Sequence, residues 1–361
     1  MTPYKLKPGV LSGTALTDLF AYCREAQCAL PAVNVIGTNS VNAALAAAKA
    51  ANAPIIIQYS HGGGQFFAGK SIDNKTNVAS IAGSISGAHH VRLMAEAYGV
   101  TAILHTDHAA KKLLPWIDGL LDAGEKYFAQ TGEPLFSSHM LDLSEESLHE
   151  NLEISAKYLA RMNKIKMLLE IELGVTGGEE DGIGHELQEG DADNAKLYTQ
   201  PKDVLQAYDK LSPLGHFTVA ASFGNVHGVY APGNVKLRPE ILKNSQKLVS
   251  EMRGGGDKPL SLVFHGGSGT ATNLIREAVS YGVFKMNIDT DLQFAFAHAV
   301  AAQVEANPRA FKYQVDPDNQ KPYKSTYDPR KWLRAGELGI VARLEEAIAD
   351  LGSAGKTLAK A

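Results

Sequence analysis

The sequence predicts an α/β protein, a (β/α)8 TIM barrel with additional helices, on three observations. Eight short, apolar, β-branched runs recur along the 361 residues, helical patterns separate them, and no linker divides the chain into two cores. Three of the runs end in imidazoles: V-T-A-I-L-H-T-D-H at His108, F-T-V-A-A-S-F-G-N-V-H-G at His227, and L-S-L-V-F-H-G-G-S-G at His265. Catalytic groups of such a barrel belong at the C-terminal ends of its strands. One catalytic domain is expected over 1–361, with a C-terminal helical extension about 323–356 packed on the barrel or on a second subunit.

Composition narrows the function classes. The 35 Lys and Arg against 39 Asp and Glu give a formal charge of −4, and 45% hydrophobic content is that of an ordinary globular protein. Neither a nucleic-acid partner nor a membrane partner is indicated. No stretch approaches the roughly 18 apolar residues of a membrane span, and M-T-P-Y-K-L-K-P-G-V lacks the core of a signal peptide. Cys23 and Cys28, five apart on an expected helix, do not align for a bridge. A reducing, cytoplasmic setting is the expectation.

In chain order, residues 12–28 read as a helix with Leu16, Leu19 and Phe20 on its apolar face. A-L-P-A-V-N-V-I at 29–36 is the first strand, with Pro31 placed at its edge and Asn34 a polar group inside it. An Ala-rich helix at 39–51 leads to the second strand, A-P-I-I-I-Q-Y-S at 53–60, which runs into a glycine loop, H-G-G-G. That loop is a weak anion-binding signal, and His61 reads as a loop histidine. A polar turn and a helix ending at Gly99 precede the third strand at 100. The fourth, F-S-S-H-M-L-D-L at 136–143, is followed by a helix near 145–162 capped by Ser144, with His139 and Asp142 at the barrel rim or in ordinary buried hydrogen bonds.

The fifth strand, K-M-L-L-E-I-E-L-G, puts Glu170 and Glu172 on one face. Two carboxylates on a buried strand require a salt bridge, a cation or a hydrogen-bond network, unless the strand lies on an exposed edge. The glycine-rich V-T-G-G-E-E-D-G-I-G-H that follows suits a movable loop bearing Glu179, Glu180 and Asp181. A helix at 201–210, the sixth strand at 216–224, a helix at 239–252, the seventh strand ending at His265, and the eighth, V-F-K-M-N-I-D-T, complete the repeat. A long helix and a terminal amphipathic helix close the chain.

Three imidazoles at matched strand ends can hold zinc and leave one position for a substrate oxygen. G-G-S-G at 266–269 and N-I-D-T at 287–290 follow the seventh and eighth strands, where backbone N–H groups and a helix terminus hold phosphate in barrels. A metal site beside a phosphate site points to a phosphorylated substrate.

With these segments assembled, the chain resembles the class II, metal-dependent fructose-bisphosphate aldolases in their long form. The resemblance rests on A-L-P-A-V-N, L-H-T-D-H, E-I-E-L-G-V-T-G-G-E-E-D-G, A-S-F-G-N-V-H-G-V-Y, V-F-H-G-G-S-G, K-M-N-I-D-T-D and D-P-R-K-W-L-R-A-G, nearly the whole chain. It implies reversible cleavage of D-fructose 1,6-bisphosphate to dihydroxyacetone phosphate and D-glyceraldehyde 3-phosphate, in glycolysis and gluconeogenesis, with zinc stabilising the enediolate. It further implies zinc on His108, His227 and His265, Asp107 as acid/base at the C4 hydroxyl, and Glu180 exchanging the proton at the dihydroxyacetone-phosphate carbon. Glu172 matches an additional or alternative metal position. Gly228, Gly266, Gly267 and Ser268 match the phosphate site and its monovalent cation, Na+ or K+, while Asn287, Asp289 and Thr290 match groups that orient the ketose and phosphate.

By the same resemblance Asn34 and Ser60 contact substrate, and Arg330, with Lys324 assisting, meets the distal phosphate across a homodimer interface. His61 stands where the family usually has Asn, and Ala109 where Cys is frequent; neither removes a ligand or an acid/base group. A Schiff-base aldolase using Lys285, a tagatose-bisphosphate aldolase, and a noncatalytic phosphometabolite-binding barrel are the competing readings.

Overall fold

The computed structural model describes residues 6–176, 198–226 and 237–356, together with the backbone of 178–180 and 183–185. The eight expected strands form at Leu30–Asn34 (β1), Ile55–Tyr59 (β2), Thr101–Thr106 (β3), Ser138–Asp142 (β4), Leu168–Leu173 (β5), Phe217–Ala221 (β6), Leu262–Phe264 (β7) and Val283–Ile288 (β8). All are parallel in one sheet, in the order β3-β2-β1-β8-β7-β6-β5-β4. Two-residue strands extend its ends, Gly9–Val10 on β3 and Ala109–Ala110 on β4, making ten in all.

The ladder is therefore open between β3 and β4, where eight-strand closure was expected. A side chain interrupts it: the Leu104 N–H donates to Ser137 Oγ at 3.0 Å instead of to a strand carbonyl, and that hydroxyl donates onward to Leu11 O. Contact across the seam persists, because Ser137 N–H donates to Leu104 O at 2.8 Å, His105 Nδ1 meets Ser138 Oγ at 2.7 Å, and Thr106 Oγ1 meets His139 Nδ1 at 2.8 Å.

Strand alternation sorts the sheet into two chemistries. On one face, Leu30, Ala32, Ile56, Ile103, Leu168 and Val263 form an apolar cluster with Leu16, Leu19 and Phe20 of the Gly13–Glu25 helix, which covers that end. Two residues further along the same face the strands turn polar: Ile103 gives way to His105, Leu168 to Glu170 and Glu172, Ala32 to Asn34, and Ile56 to Gln58. The opposite face buries Val33, Ile55, Ile57, Leu104 and Leu169 under the flanking helices, around the fully buried Trp116.

Several local expectations change. H-G-G-G is not a loop but the opening of a helix, His61–Ala68, capped by Ser60 Oγ accepting from Gly63 N–H. Its glycines serve close packing against the Val78–Tyr98 helix, since a Cβ on Gly83 would sit 1.9 Å from Gly64 O. His61 accordingly makes a structural contact, 2.9 Å from Asn77 Oδ1. The helix expected to start at Ser144 begins at Leu148 with Ser147 as its cap, because the Ser144 hydroxyl is drawn to Asp142 Oδ1 at 2.7 Å.

Pro31 is the second residue of β1, near the start of the strand as expected. Pairing of β1 with β2 starts only at Ala32, so the missing proline N–H costs that ladder nothing. Cys28 falls beyond the helix end at Glu25, and both cysteines are buried and free. At the C-terminus, Pro329–Asp350 is one long helix including the R-K-W-L-R-A-G stretch, packed on the Thr38–Ala50 and Thr290–Glu305 helices. No helix among the described residues is long and apolar enough to cross a membrane.

Candidate active site

Asp107 and His108 follow β3 directly, and the chain turns sharply there: His108 has φ +40°, a left-handed conformation that L side chains rarely adopt. Strain of that kind persists only where the surroundings over-determine it. His265 follows β7 and is 1% exposed. These residues come from positions 157 apart in sequence, yet His265 Nδ1 lies 2.7 Å from His108 Nε2. Asp107, His108 and His265 thus form one group with potential ligand atoms within 4.8 Å of one another.

The far side of each ring is held by a carboxylate. His108 Nδ1 meets Asp142 Oδ2 at 3.0 Å, and His265 Nε2 meets Glu170 Oε1 at 2.8 Å. A carboxylate at one ring nitrogen draws the proton there and leaves the other with a lone pair. Two lone-pair nitrogens aimed at each other repel unless a cation or a proton lies between them, so this donor set fits a metal ion.

Glu172 extends the site. Its Oε1 accepts from Thr176 Oγ1 at 2.6 Å, whereas its buried Oε2 has no hydrogen-bond partner among the described residues and lies 3.5 Å from His108 Nδ1. Burial and the neighbouring Asp142 charge push the Glu172 carboxyl up to about 8. Asp142 goes the other way. Burial raises its carboxyl, but hydrogen bonds from His108 and Ser144 bring it to about 2. His108, Asp142 and Glu172 form a second group able to hold a cation.

Beneath them, Glu170 is 2% exposed and shares Oε1 between His265 and Lys285 Nζ, each at 2.8 Å. Burial alone would raise this carboxyl, yet the Lys285 ammonium and the hydrogen bond to His265 hold it well below the carboxylate range. His105 stays neutral, driven down to about 3 by burial and Lys285, so its 3.5 Å approach to Glu170 is not an ion pair. The expectation of a compensating network for the two carboxylates of β5 is met.

Asp107 is held by amides from three strands. Gln58 Nε2 donates to Oδ2 at 2.8 Å, Asn34 Nδ2 to Oδ2 at 3.0 Å, and Asn287 Nδ2 to Oδ1 at 3.1 Å. Among the described residues the buried Asn287 Oδ1 has no partner, an acceptor that a hydroxyl would satisfy. Ser268 Oγ lies 3.5 Å from the Asp291 N–H in the first turn of the Thr290–Glu305 helix, which starts one residue after Asp289. Gly266 has φ +61°, and a Cβ there would sit 2.4 Å from Val226 O, so only glycine fits. Gly267 is similarly confined, against Met286.

Ser60 spends its hydroxyl on the helix cap. Arg330 is 89% exposed and pairs with Asp328 at 2.6 Å, and Lys324 is exposed on the short Lys324–Tyr327 helix. Glu180 ends the Gly178–Glu180 strand of a two-stranded ribbon with Ile183–His185. His227 and Gly228 lie outside the described residues. Gln58, and the pairing of Asp142 with His108, were missed from sequence; a lone glutamine inside I-I-I-Q-Y was the available signal for the first.

The model of the class II fructose-bisphosphate aldolase family matches residues 14–356. The chain belongs to this family. It is thus a lyase of a zinc-dependent class, and its described residues offer a His/Asp group able to hold such an ion. A fructose-bisphosphate aldolase class 2 of Escherichia coli K12 is 56% identical over 354 residues, covering 96% of this chain and 97% of that protein. A fructose-bisphosphate aldolase of Neurospora crassa is 51% identical, covering 97% of each. The crystal structure of fructose-bisphosphate aldolase from Campylobacter jejuni superposes with a TM-score of 0.88 at 52% identity, covering 98% of both chains.

Proposed function

We propose that the chain catalyses reversible aldol cleavage of D-fructose 1,6-bisphosphate to dihydroxyacetone phosphate and D-glyceraldehyde 3-phosphate, on a (β/α)8 barrel that closes between β3 and β4 within a single domain. The observation that carries this reading is the facing pair His108 Nε2 and His265 Nδ1 at 2.7 Å, beside an aspartate held by three amides. His108 and His265, with His227 as the third ligand, hold zinc. When bound, zinc supplies Lewis-acid polarisation of the ketose carbonyl.

The chain's own groups do the rest. Asn34, Gln58 and Asn287 fix the Asp107 carboxylate so that it takes the C4 hydroxyl proton as the C3–C4 bond breaks. Asn287 Oδ1 accepts from a ketose hydroxyl, satisfying its buried lone pairs. Gly266, Gly267, Ser268, Asp289 and Thr290, with Gly228, line the phosphate and an associated Na+ or K+, using backbone N–H groups at the start of the Thr290–Glu305 helix. Glu180 returns a proton to the carbon freed by cleavage, so Glu180→Ala should keep its metal and lose exchange of that proton, read by deuterium incorporation into dihydroxyacetone phosphate. Exchange at the parental rate would remove Glu180 from this role. Glu172 and Asp142 offer an additional cation position.

A cytoplasmic homodimer completes the reading. The Thr290–Glu305 helix is rich in Ala, Phe and Val, yet Leu292 alone is buried on it, with Phe294 70% exposed; Leu338 on the Pro329–Asp350 helix is 51% exposed. A second copy would cover these apolar residues. Arg330, unburied in one subunit, then reaches the distal phosphate of its neighbour, assisted by Lys324. Arg330→Ala should raise KM for the bisphosphate by about 10-fold or more, the loss of a charge-assisted contact worth roughly 1.5–3 kcal/mol, and unchanged bisphosphate kinetics would refute the placement.

A coupled cleavage assay before and after chelation tests the whole. Activity should vanish with chelator, return with Zn2+, and leave no adduct on borohydride treatment. A trapped adduct with chelator-resistant activity would instead support a lysine Schiff base, which the buried Lys285–Glu170 ion pair disfavours because that ammonium is committed to a carboxylate.

A further inference from the structure

The residues that orient the zinc ligands are not themselves ligands, and one pair of them lies deep in the sheet. Glu170 and Lys285 project from β5 and β8, and each is 2% exposed. Glu170 Oε1 is the meeting point of His265 Nε2 and Lys285 Nζ. Its other oxygen has the hydroxyl of Thr218 at 3.4 Å and His105 Nε2 at 3.5 Å. Burying two charges this completely is costly, and well-packed apolar residues of the same size are often equally stable. The pair therefore calls for a reason beyond stability.

We infer that Glu170, neutralised and held in place by Lys285, is a positioning residue that fixes the ring orientation and proton location of His265, so that Nδ1 rather than Nε2 is the metal-binding atom. This inference rests on the zinc-aldolase reading for its consequence, but its geometry stands on the Glu170–His265 contact.

Imidazole can bind a metal through either nitrogen, and in a histidine with a free χ2 a ring flip carries both nitrogens to the places of ring carbons. At His265 the flip is blocked electrostatically. With Nε2–H donating to Glu170, Nδ1 carries the lone pair and faces His108; a flipped ring would lose the charge-assisted hydrogen bond inside the protein. Lys285 is needed because an unpaired carboxylate at this depth is costly to bury, whereas the ammonium at 2.8 Å pins Oε1 beside His265. A lysine does this without competing for the metal, as a protonated amine has no lone pair.

Carboxylate partners of this kind typically set metal affinity by 10–100-fold. The double variant Glu170→Gln/Lys285→Met keeps both volumes and leaves no buried unpaired charge. Competition with a chromophoric chelator should show its Zn2+ affinity reduced about 10–100-fold, with parental far-UV circular dichroism. Lys285→Met alone should show an intermediate loss, because Glu170 remains but is less firmly held. Parental Zn2+ affinity in the folded double variant would overturn the inference.

Should the double variant fail to fold, the zinc-loaded parental protein decides. In 15N-histidine-labelled protein, the His265 signals, assigned by their absence from His265→Gln, should report Nδ1 bound to metal and Nε2 carrying a proton. Ligation through Nε2 would refute the proposal. Both readouts are independent of aldol cleavage, so an inactive chain with these zinc properties would fail the functional reading and leave this one standing.

Discussion

Replacing His108 or His265 by alanine should remove tight zinc binding and lower fructose 1,6-bisphosphate cleavage by on the order of 10^3-fold or more. Each histidine supplies one of two nitrogens that meet at 2.7 Å. The loss follows from lost carbonyl polarisation, worth several kcal/mol, and from the carboxylates left behind. In His108→Ala, Asp142 and Glu172 would face each other without the imidazole between them. Metal content after dialysis and steady-state cleavage rates check this together. A variant that retains stoichiometric zinc and parental turnover would remove its histidine from the ligand set.

Asp107→Asn should lower kcat by about 10^2–10^4-fold while leaving zinc content parental. The substitution is nearly isosteric, so packing is not the cause. Three amide N–H donors converge on the carboxylate, and an asparagine would turn its own NH2 toward one of them. The variant loses both its base and the order of its surroundings. Deuterium exchange into dihydroxyacetone phosphate should survive, because that step does not use the C4 hydroxyl. Loss of exchange and cleavage in equal measure would show that Asp107 does not act at C4, and parental cleavage would show that it does not act at all.

The contrast between these two positions shows how far the chain could be read in advance. Asp107 and His108 announce themselves, because an apolar β-branched run that ends in adjacent polar groups has few roles in a buried strand. Glu170 and Glu172 announce a problem of the same kind, two carboxylates on one face, and the network predicted to solve it is present. Gln58 is illegible in the sequence, since a single amide in a strand has no local pattern and its partner Asp107 is 49 residues away. The glycine run at 62–64 is ambiguous for a related reason. Glycine permits both an open loop and a close helix contact, and only the Val78–Tyr98 helix packed against it distinguishes the two.

Ser144 and Ser147 make the point at a smaller scale. Both are competent caps, and the choice went to Ser147 because Asp142, oriented toward His108, also takes the Ser144 hydroxyl. The break in the ladder beside Ser137 belongs here too, as a hydroxyl can replace a strand carbonyl without any trace in hydrophobic periodicity.

By itself the sequence determined the eight strands, the face each polar residue occupies, and the candidate acid, base and ligands, because alternation along a strand is a property of neighbouring residues. Tertiary structure alone decided which nitrogen of each imidazole faces the other, which carboxylate stands behind it, and which amides hold Asp107. Those outcomes depend on register between strands far apart in the chain, and a shift of one residue would have turned every one of these side chains to the opposite face.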